Sequence, residues 1–86
     1  MEKIRASRLE CLLLAMRMAY WMVKRMWAPA NLKKGHWQAC TGFYLAGRLD
    51  DEVAELKRVV GRCGINAWEE AADVANFAAM LAVWAE

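Results

Sequence analysis

The sequence predicts an all-α fold, an antiparallel bundle of three main helices in a single domain of residues 1–86. Good helix formers such as Ala, Leu, Met, Glu, Lys and Arg dominate the chain, whereas strand signals are weak. The one proline, Pro29, and the turn sequence GRCGI at 61–65 divide the chain into three helical stretches. A chain of 86 residues normally forms one domain.

The first helix is predicted from about Glu2 to Trp27. Other apolar side chains in this stretch widen its apolar face beyond what one partner helix would cover. Pro29 is expected to end the helix, and residues 28–36 are expected to form a loop. The face itself consists of apolar residues at intervals of three and four, the spacing of one helix side: Leu9, Leu12, Leu13, Met16, Tyr20, Val23 and Trp27.

The second helix is predicted to begin at Trp37 or Gln38 and to end between Val60 and Arg62. Two glycines weaken its first half, which predicts a kink or a close helix contact there. Its second half, LDDEVAELKRVV, has a strong amphipathic pattern.

The third helix is predicted to begin at Asn66 and to run to about Trp84. Asparagine is a favoured N-cap residue, and Glu69 follows three positions later, as in a capping box. Short connections between the three helices suit antiparallel packing.

The composition favours a protein that associates with copies of itself. Hydrophobic residues make up 59% of the chain, with five Trp and six Met. A domain of this size buries a modest fraction of its surface, so part of this apolar material is expected at an interface. We therefore expect the bundle to be completed by oligomerisation, as a homodimer or homotetramer.

Charge, cysteines and hydropathy exclude several classes of protein. A net charge of +2 and a pI of about 8.6 are too mild to indicate a nucleic-acid partner. The three cysteines are odd in number and far apart, which favours reduced thiols in a cytoplasmic protein. The apolar stretch 11–23 is too short to span a membrane and contains Arg17, so no membrane partner is expected.

Acidic residues recur at a spacing of three on the last two predicted helices. Glu70, Asp73 and Asn76 share one side of the third helix, and Glu52 and Glu55 share one side of the second. Each of these carboxylates also has an ordinary structural explanation that involves no ligand. The first turn of a helix favours acids through its dipole, and Arg48 and Arg58 are placed to form surface ion pairs with Glu52 and Glu55.

Taken together, the two pairs predict a metal site. Two antiparallel helices joined by a short turn place residues 52 and 55 opposite residues 70 and 73. Carboxylates gathered at the edge of an apolar core need a positive partner. Oxygen ligands of this kind suit Mg²⁺ or Mn²⁺, ions that commonly act together with substrate phosphates.

These motifs resemble the signature of the MazG-like all-α nucleoside triphosphate pyrophosphohydrolases, a superfamily that includes dimeric dUTPases and phosphoribosyl-ATP pyrophosphatases. That signature is Glu-Glu-x-x-Glu followed by Glu-x-x-Asp on the next helix. Here DEVAE at 51–55 is followed after fourteen residues by EAAD at 70–73, and Asp51 replaces the usual first Glu. The resemblance covers residues 33–83, and EEAADVANF at 69–77 looks like short, often viral members.

The resemblance implies Mg²⁺-dependent hydrolysis of a nucleoside triphosphate to the monophosphate and pyrophosphate, with Mn²⁺ as a possible substitute. By motif position, Glu52, Glu55, Glu70 and Asp73 would be the catalytic metal ligands. Base preference is open, with a purine deoxynucleotide such as dGTP among the candidates. Many relatives continue into a further helix where this sequence ends at Glu86. We therefore expect a second subunit to supply the wall of the site that this helix would form.

Four further residues are candidates for substrate binding. Asn76 is placed to hydrogen-bond the sugar or base, and Trp37 to stack on the base, although a core or interface role suits this tryptophan equally. Lys57 and Lys34 are candidates for phosphate contacts, with solvated charges as the alternative for each. The expected location is the cytoplasm of a bacterial cell, or of the host if the protein is viral.

A function of another class is a non-catalytic helical oligomerisation or interaction module. In that case the acidic pairs are surface charges, and the Met and Trp residues between positions 16 and 27 bind a partner. A helix lying on a membrane surface is a weaker alternative, because the basic residues of the first stretch are spread around the helix.

Overall fold

The computed structural model describes residues 7–32, 36–62 and 64–86, and the regular structure in these ranges is entirely helical. The described part of the chain contains no helix that is both long and apolar enough to cross a membrane. The all-α prediction is confirmed. The elements are α1 (Arg8–Met26), α2 (Pro29–Leu32), a single 3-10 turn (Trp37–Ala39), α3 (Gly42–Arg62) and α4 (Ala67–Trp84).

Helix α1 begins later than predicted. Ser7 has an extended backbone and its hydroxyl accepts a hydrogen bond from the Glu10 amide at 3.1 Å, which caps the helix. A continuous helix through Ser7 is therefore wrong, and the predicted start at Glu2 lies outside the described residues. The helix ends at Met26, one residue before the predicted Trp27.

The predicted loop at 28–36 is wrong in its first half, because Pro29 opens the short helix α2. Proline suits the first turn of a helix, where its missing N–H would have no partner. The Asn31 side chain donates to the Arg25 carbonyl at 2.6 Å and so ties α2 to the last turn of α1. Residues 33–35 lie outside the described residues.

Helix α3 begins at Gly42 rather than at Trp37 or Gln38, which lie in the separate 3-10 turn. Cys40 is extended, and the Thr41 hydroxyl accepts a hydrogen bond from the Tyr44 amide at 3.1 Å, the geometry of a new helix start. The end at Arg62 agrees with the prediction.

Helix α4 has the predicted bounds but lacks the predicted cap. Asn66 occupies the N-cap position, yet its side chain makes no capping hydrogen bond. Its carbonyl accepts from the Glu70 amide at 3.0 Å, so the helix begins there through its backbone alone.

Helix α4 is the central element, since it packs against both α1 and α3. It is antiparallel to α3: the chain reverses through Gly64, whose φ of 70° favours glycine, and Gly42 at the start of α3 lies against Trp84 at the end of α4. Its direction matches that of α1, because Arg17 contacts Trp68 and the later residue Met22 contacts Asn76.

The buried core of the described residues is small. Leu45 is 1% exposed and Ala72 is fully buried, and both lie where the helices meet α4. Helix α1 has no buried residue despite its apolar sequence. Its exposed side chains include Leu12, Leu13 and Tyr20, so much of its apolar face has no cover within the described chain.

Candidate functional site

The site begins with three carboxylates that the α3–α4 pair brings together. Glu52 projects from the middle of α3, and Glu70 and Asp73 come from the first two turns of α4. One oxygen from each of the three lies within 4.8 Å of the others. Glu70 and Asp73 face the same way because they are three residues apart on a helix, and antiparallel packing places Glu52 opposite them.

Glu55, the fourth predicted ligand, lies outside this triad. It forms an ion pair with Arg58 on its own helix. Its charge still acts on the triad, since it contributes to raising the pKa values of Glu52 and Glu70.

Two arginines neutralise much of the triad's charge. Arg25 of α1 donates from Nε and Nη2 to the two Asp73 oxygens at 3.0 and 2.8 Å, a bidentate pair, and lies 3.6 Å from Glu69. Arg48 of α3 donates to Glu52 at 2.8 Å. Glu70 makes no ion pair within the described residues.

The pairs of Arg48 with Glu52 and of Arg58 with Glu55 confirm the ion pairs that the sequence left open. Arg25 was not predicted. Its partner Asp73 is 48 residues away, and local spacing carries no signal for a contact between α1 and α4.

Burial and mutual repulsion shift the pKa values of two carboxylates of the triad. Desolvation, followed by the charge of Asp73, raises the pKa of Glu52 and of Glu70 above the ordinary glutamate value of 4.5. The hydrogen bond to Asp73 raises the pKa of Arg25, which fixes this guanidinium in its charged form. The site therefore holds its acids in close, partly desolvated proximity, as functional clusters often do.

A cavity of about 930 Å³ adjoins the triad, and Arg25, Glu52 and Asp73 contribute to its wall. The rest of the wall combines aromatic and apolar side chains with a few polar groups. This volume and lining are typical of a pocket for a small organic ligand. The aromatic side chains in the wall are Trp27, Trp37, Tyr44 and Phe77.

Asn76 lies one turn beyond Asp73 and also lines the cavity. It is 5% exposed, and its Nδ2 donates to the Met22 carbonyl at 3.1 Å. This bond fixes the orientation of the amide and leaves Oδ1, which has no partner among the described residues, as a buried acceptor. Such an atom costs free energy unless a ligand or water satisfies it.

The remaining predicted site residues divide into three cases. Trp37 lines the cavity, as base stacking requires. Lys57 is exposed on α3 and is not part of the cavity wall. Lys34 lies outside the described residues.

Comparison of the chain with protein-family models, with curated proteins and with solved structures gave no match. The functional interpretation therefore depends on the residues of the site and on the motif resemblance.

Proposed function

We propose that this chain is a metal-dependent nucleoside triphosphate pyrophosphohydrolase of the MazG-like superfamily. The reaction converts a (d)NTP and water to the (d)NMP and pyrophosphate, with a purine deoxynucleotide such as dGTP among the candidate substrates. The observation that supports it most directly is the joint position of Glu52, Glu70 and Asp73 at the edge of the aromatic cavity. A triphosphate nucleotide has these two parts, a base that stacks and phosphates that bind through cations.

The chemistry of the donor set fits Mg²⁺, with Mn²⁺ as a substitute. Three carboxylates within 4.8 Å offer oxygen ligands alone, which hard divalent cations prefer. Glu52, Glu70 and Asp73 would hold the ion, and Glu55 is the proposed fourth ligand. When bound, such an ion neutralises phosphate charge and lowers the pKa of a bound water.

The chain's own residues have distinct tasks in this proposal. Trp37 and Phe77 provide flat apolar faces for the base, and Oδ1 of Asn76 accepts a hydrogen bond from the base or sugar. Glu52 and Glu70 hold protons more tightly than ordinary glutamates because their pKa values are raised. One of the glutamates of the site would accept the proton of the attacking water.

The proposed assembly is a homodimer or homotetramer. Helix α1 exposes a continuous set of large apolar side chains, among them Leu9, Leu13, Met16 and Tyr20. Exposed apolar patches of this kind are typical of protein interfaces. No nucleic acid or membrane is part of this proposal, and the proposed location is the cytoplasm.

The same exposed face supports a second candidate function, a non-catalytic helical oligomerisation or interaction module. In that case the ion pair of Arg25 with Asp73 ties α1 to α4, and the carboxylates bind no cation.

The test is to incubate the purified protein with each common NTP and dNTP, with Mg²⁺ or Mn²⁺, and to measure release of monophosphate and pyrophosphate. Glu70→Gln is expected to abolish release. Asp50→Asn removes a negative charge from an exposed position of α3 and is expected to retain it. No release from any nucleotide, with no thermal shift on addition of metal, would refute the enzyme and leave the interaction module.

A further inference from the structure

Arg25 belongs both to the carboxylate triad and to the cavity. Its guanidinium binds Asp73 through two nitrogens, and the same side chain lines the cavity wall. The pair is partly buried, with 31% of the Arg25 side chain and 16% of the Asp73 side chain exposed. Arg25 is therefore within reach of any anion that enters the cavity beside Asp73.

The pairing of Arg25 opposes cation binding at Asp73. Both Asp73 oxygens accept hydrogen bonds from the guanidinium, at 3.0 and 2.8 Å. Each oxygen still has a second lone pair, but a cation bound there would be repelled by the guanidinium, so the two positive groups compete for Asp73. Release of Arg25 and use of Asp73 as a ligand are thus coupled.

A phosphate group is the natural new partner for the released guanidinium. The fork of Nε and Nη2 that matches a carboxylate also matches a phosphate in a bidentate manner. Arg48 is less suited to this exchange, since it is held by Asp51 and Glu52 of its own helix and lies over the Phe77 ring. Arg25 instead binds partners on another helix, Asp73 through two hydrogen bonds and Glu69 at 3.6 Å.

A buried acceptor without a partner is a second, independent observation at this cavity. Asn76 is 5% exposed and therefore 95% buried. Its Oδ1 has no hydrogen-bond partner in the described chain. It lines the same cavity as Arg25. An unpartnered acceptor and a guanidinium in the lining of one cavity suit a ligand that carries both a donor group and an anionic group.

We propose that Arg25 is a substrate-binding residue that exchanges partners. It holds Asp73 in the free protein and passes to a phosphate oxygen of the nucleotide when Asp73 is taken up as a cation ligand. This inference rests on the proposed pyrophosphohydrolase function and adds the residue that recognises the phosphates. Under this proposal, loss of the Arg25 guanidinium strengthens cation binding and weakens nucleotide binding.

The test compares wild type with Arg25→Gln, using Mn²⁺ alone as the first probe. Free Mn²⁺ measured by electron paramagnetic resonance gives its affinity without nucleotide. The second readout is KM and kcat for the dNTP that wild type hydrolyses fastest. We expect Arg25→Gln to bind Mn²⁺ about threefold to tenfold more tightly, since a competing and partly screened charge is gone. We expect its KM to rise about tenfold or more, with a smaller change in kcat.

Two further variants complete the design. Arg8→Gln removes a guanidinium from an exposed position at the start of α1, about 25 Å along the helix from Arg25, and it is expected to leave both quantities within about twofold of wild type. Arg25→Lys keeps the positive charge but loses the paired Nε and Nη2 donors. It replaces Arg25→Gln in the test if that variant does not fold. It is expected to raise KM while Mn²⁺ affinity lies between those of wild type and Arg25→Gln.

The outcomes separate the two proposals. If wild type binds no Mn²⁺ and releases no pyrophosphate, the proposed function is wrong and this inference is wrong with it. If wild type does both, but the Arg25 variants bind Mn²⁺ no more tightly or keep the wild-type KM, Arg25 is a structural tie between α1 and α4. The partner exchange is then refuted and the proposed function stands.

Discussion

Replacing Glu70 by Gln should stabilise the metal-free protein while it removes metal binding. Glu70 has an oxygen within 4.8 Å of oxygens of both Glu52 and Asp73, and no arginine of the described chain pairs with it. Two unit charges at this distance repel by ~0.9 kcal/mol in water and by ~3.5 kcal/mol at an effective dielectric constant of about 20. Glutamine keeps the shape of the side chain and removes this charge.

The expected gain in the free energy of unfolding lies near the lower of these two repulsion energies. Glu70 is only partly buried, so solvent screens the repulsion, and Arg25 and Arg48 already offset part of the charge of the other two acids. We expect a gain of about 1 kcal/mol in the free energy of unfolding. For a domain of this size, this corresponds to a rise in Tm of about 4–8 °C.

Thermal unfolding followed by circular dichroism, first in EDTA and then with excess Mn²⁺, measures both effects. Wild type should gain stability on addition of Mn²⁺ and Glu70→Gln should not. Asp50→Asn, at an exposed position of α3, should stay within about 0.5 kcal/mol of wild type under each condition. A lower Tm for Glu70→Gln in EDTA would refute the reasoning, because it would show that Glu70 is a net stabilising charge.

Three further predictions concern pH, packing and the buried amide. The native state binds protons at Glu52 and Glu70 more tightly than the unfolded state, so these two groups favour unfolding at neutral pH. As the pH falls through their raised pKa values that penalty is relieved, and the Tm gain from Mn²⁺ should shrink as the pH is lowered from 7. A gain that grows would contradict the shifts. Gly42→Ala should lower the free energy of unfolding by about 1 kcal/mol, because the new Cβ would lie 2.6 Å from the nearest ring atom of the tryptophan packed on it. Gly47→Ala meets no atom within 4 Å and should instead stabilise by about 0.5–1 kcal/mol, so equal melting curves would count against the packing argument. Asn76→Leu should lower kcat/KM about tenfold with unchanged Mn²⁺ affinity, and wild-type kcat/KM would exclude Asn76 from substrate binding.

Periodicity and motif spacing predicted the helical elements because both are local properties. The amphipathic patterns gave the three long helices, and the spacing of three placed Glu70 and Asp73 on one side of α4. A short turn between antiparallel helices then brought Glu52 to them. The ion pairs of Arg48 and Arg58 are local for the same reason.

Two helix starts were predicted wrongly although the sequence contains their signals. Ser7 and Glu10 form the S-x-x-E pattern of an N-terminal cap, and the Ser7 hydroxyl does accept from the Glu10 amide. Thr41 directly precedes Gly42 and caps α3 in the same way. The predicted starts passed over both caps, so the two predicted helices were too long.

The contact of Arg25 with Asp73 and the cavity could not be predicted in this way. Both depend on how α1 crosses α4, and that crossing is set by side-chain packing between residues far apart in the chain. Asn76 shows which features of the site follow from the sequence and which do not. Its position one turn beyond Asp73 follows from the sequence, whereas its bond to the Met22 carbonyl and its unpartnered oxygen require the folded arrangement.

The exposed face of α1 and the cavity meet in the same residues, which links the proposed assembly to the proposed site. Val23, Met26 and Trp27 are exposed and also line the cavity, and Trp27 is 71% exposed. A second copy packed on this end of α1 would bury these side chains and cover the cavity wall they form. Water exclusion strengthens the interactions of charged groups with a ligand. The apolar surface that this small core leaves uncovered would then serve the chemistry of Arg25 and Asp73 as well as the stability of the assembly.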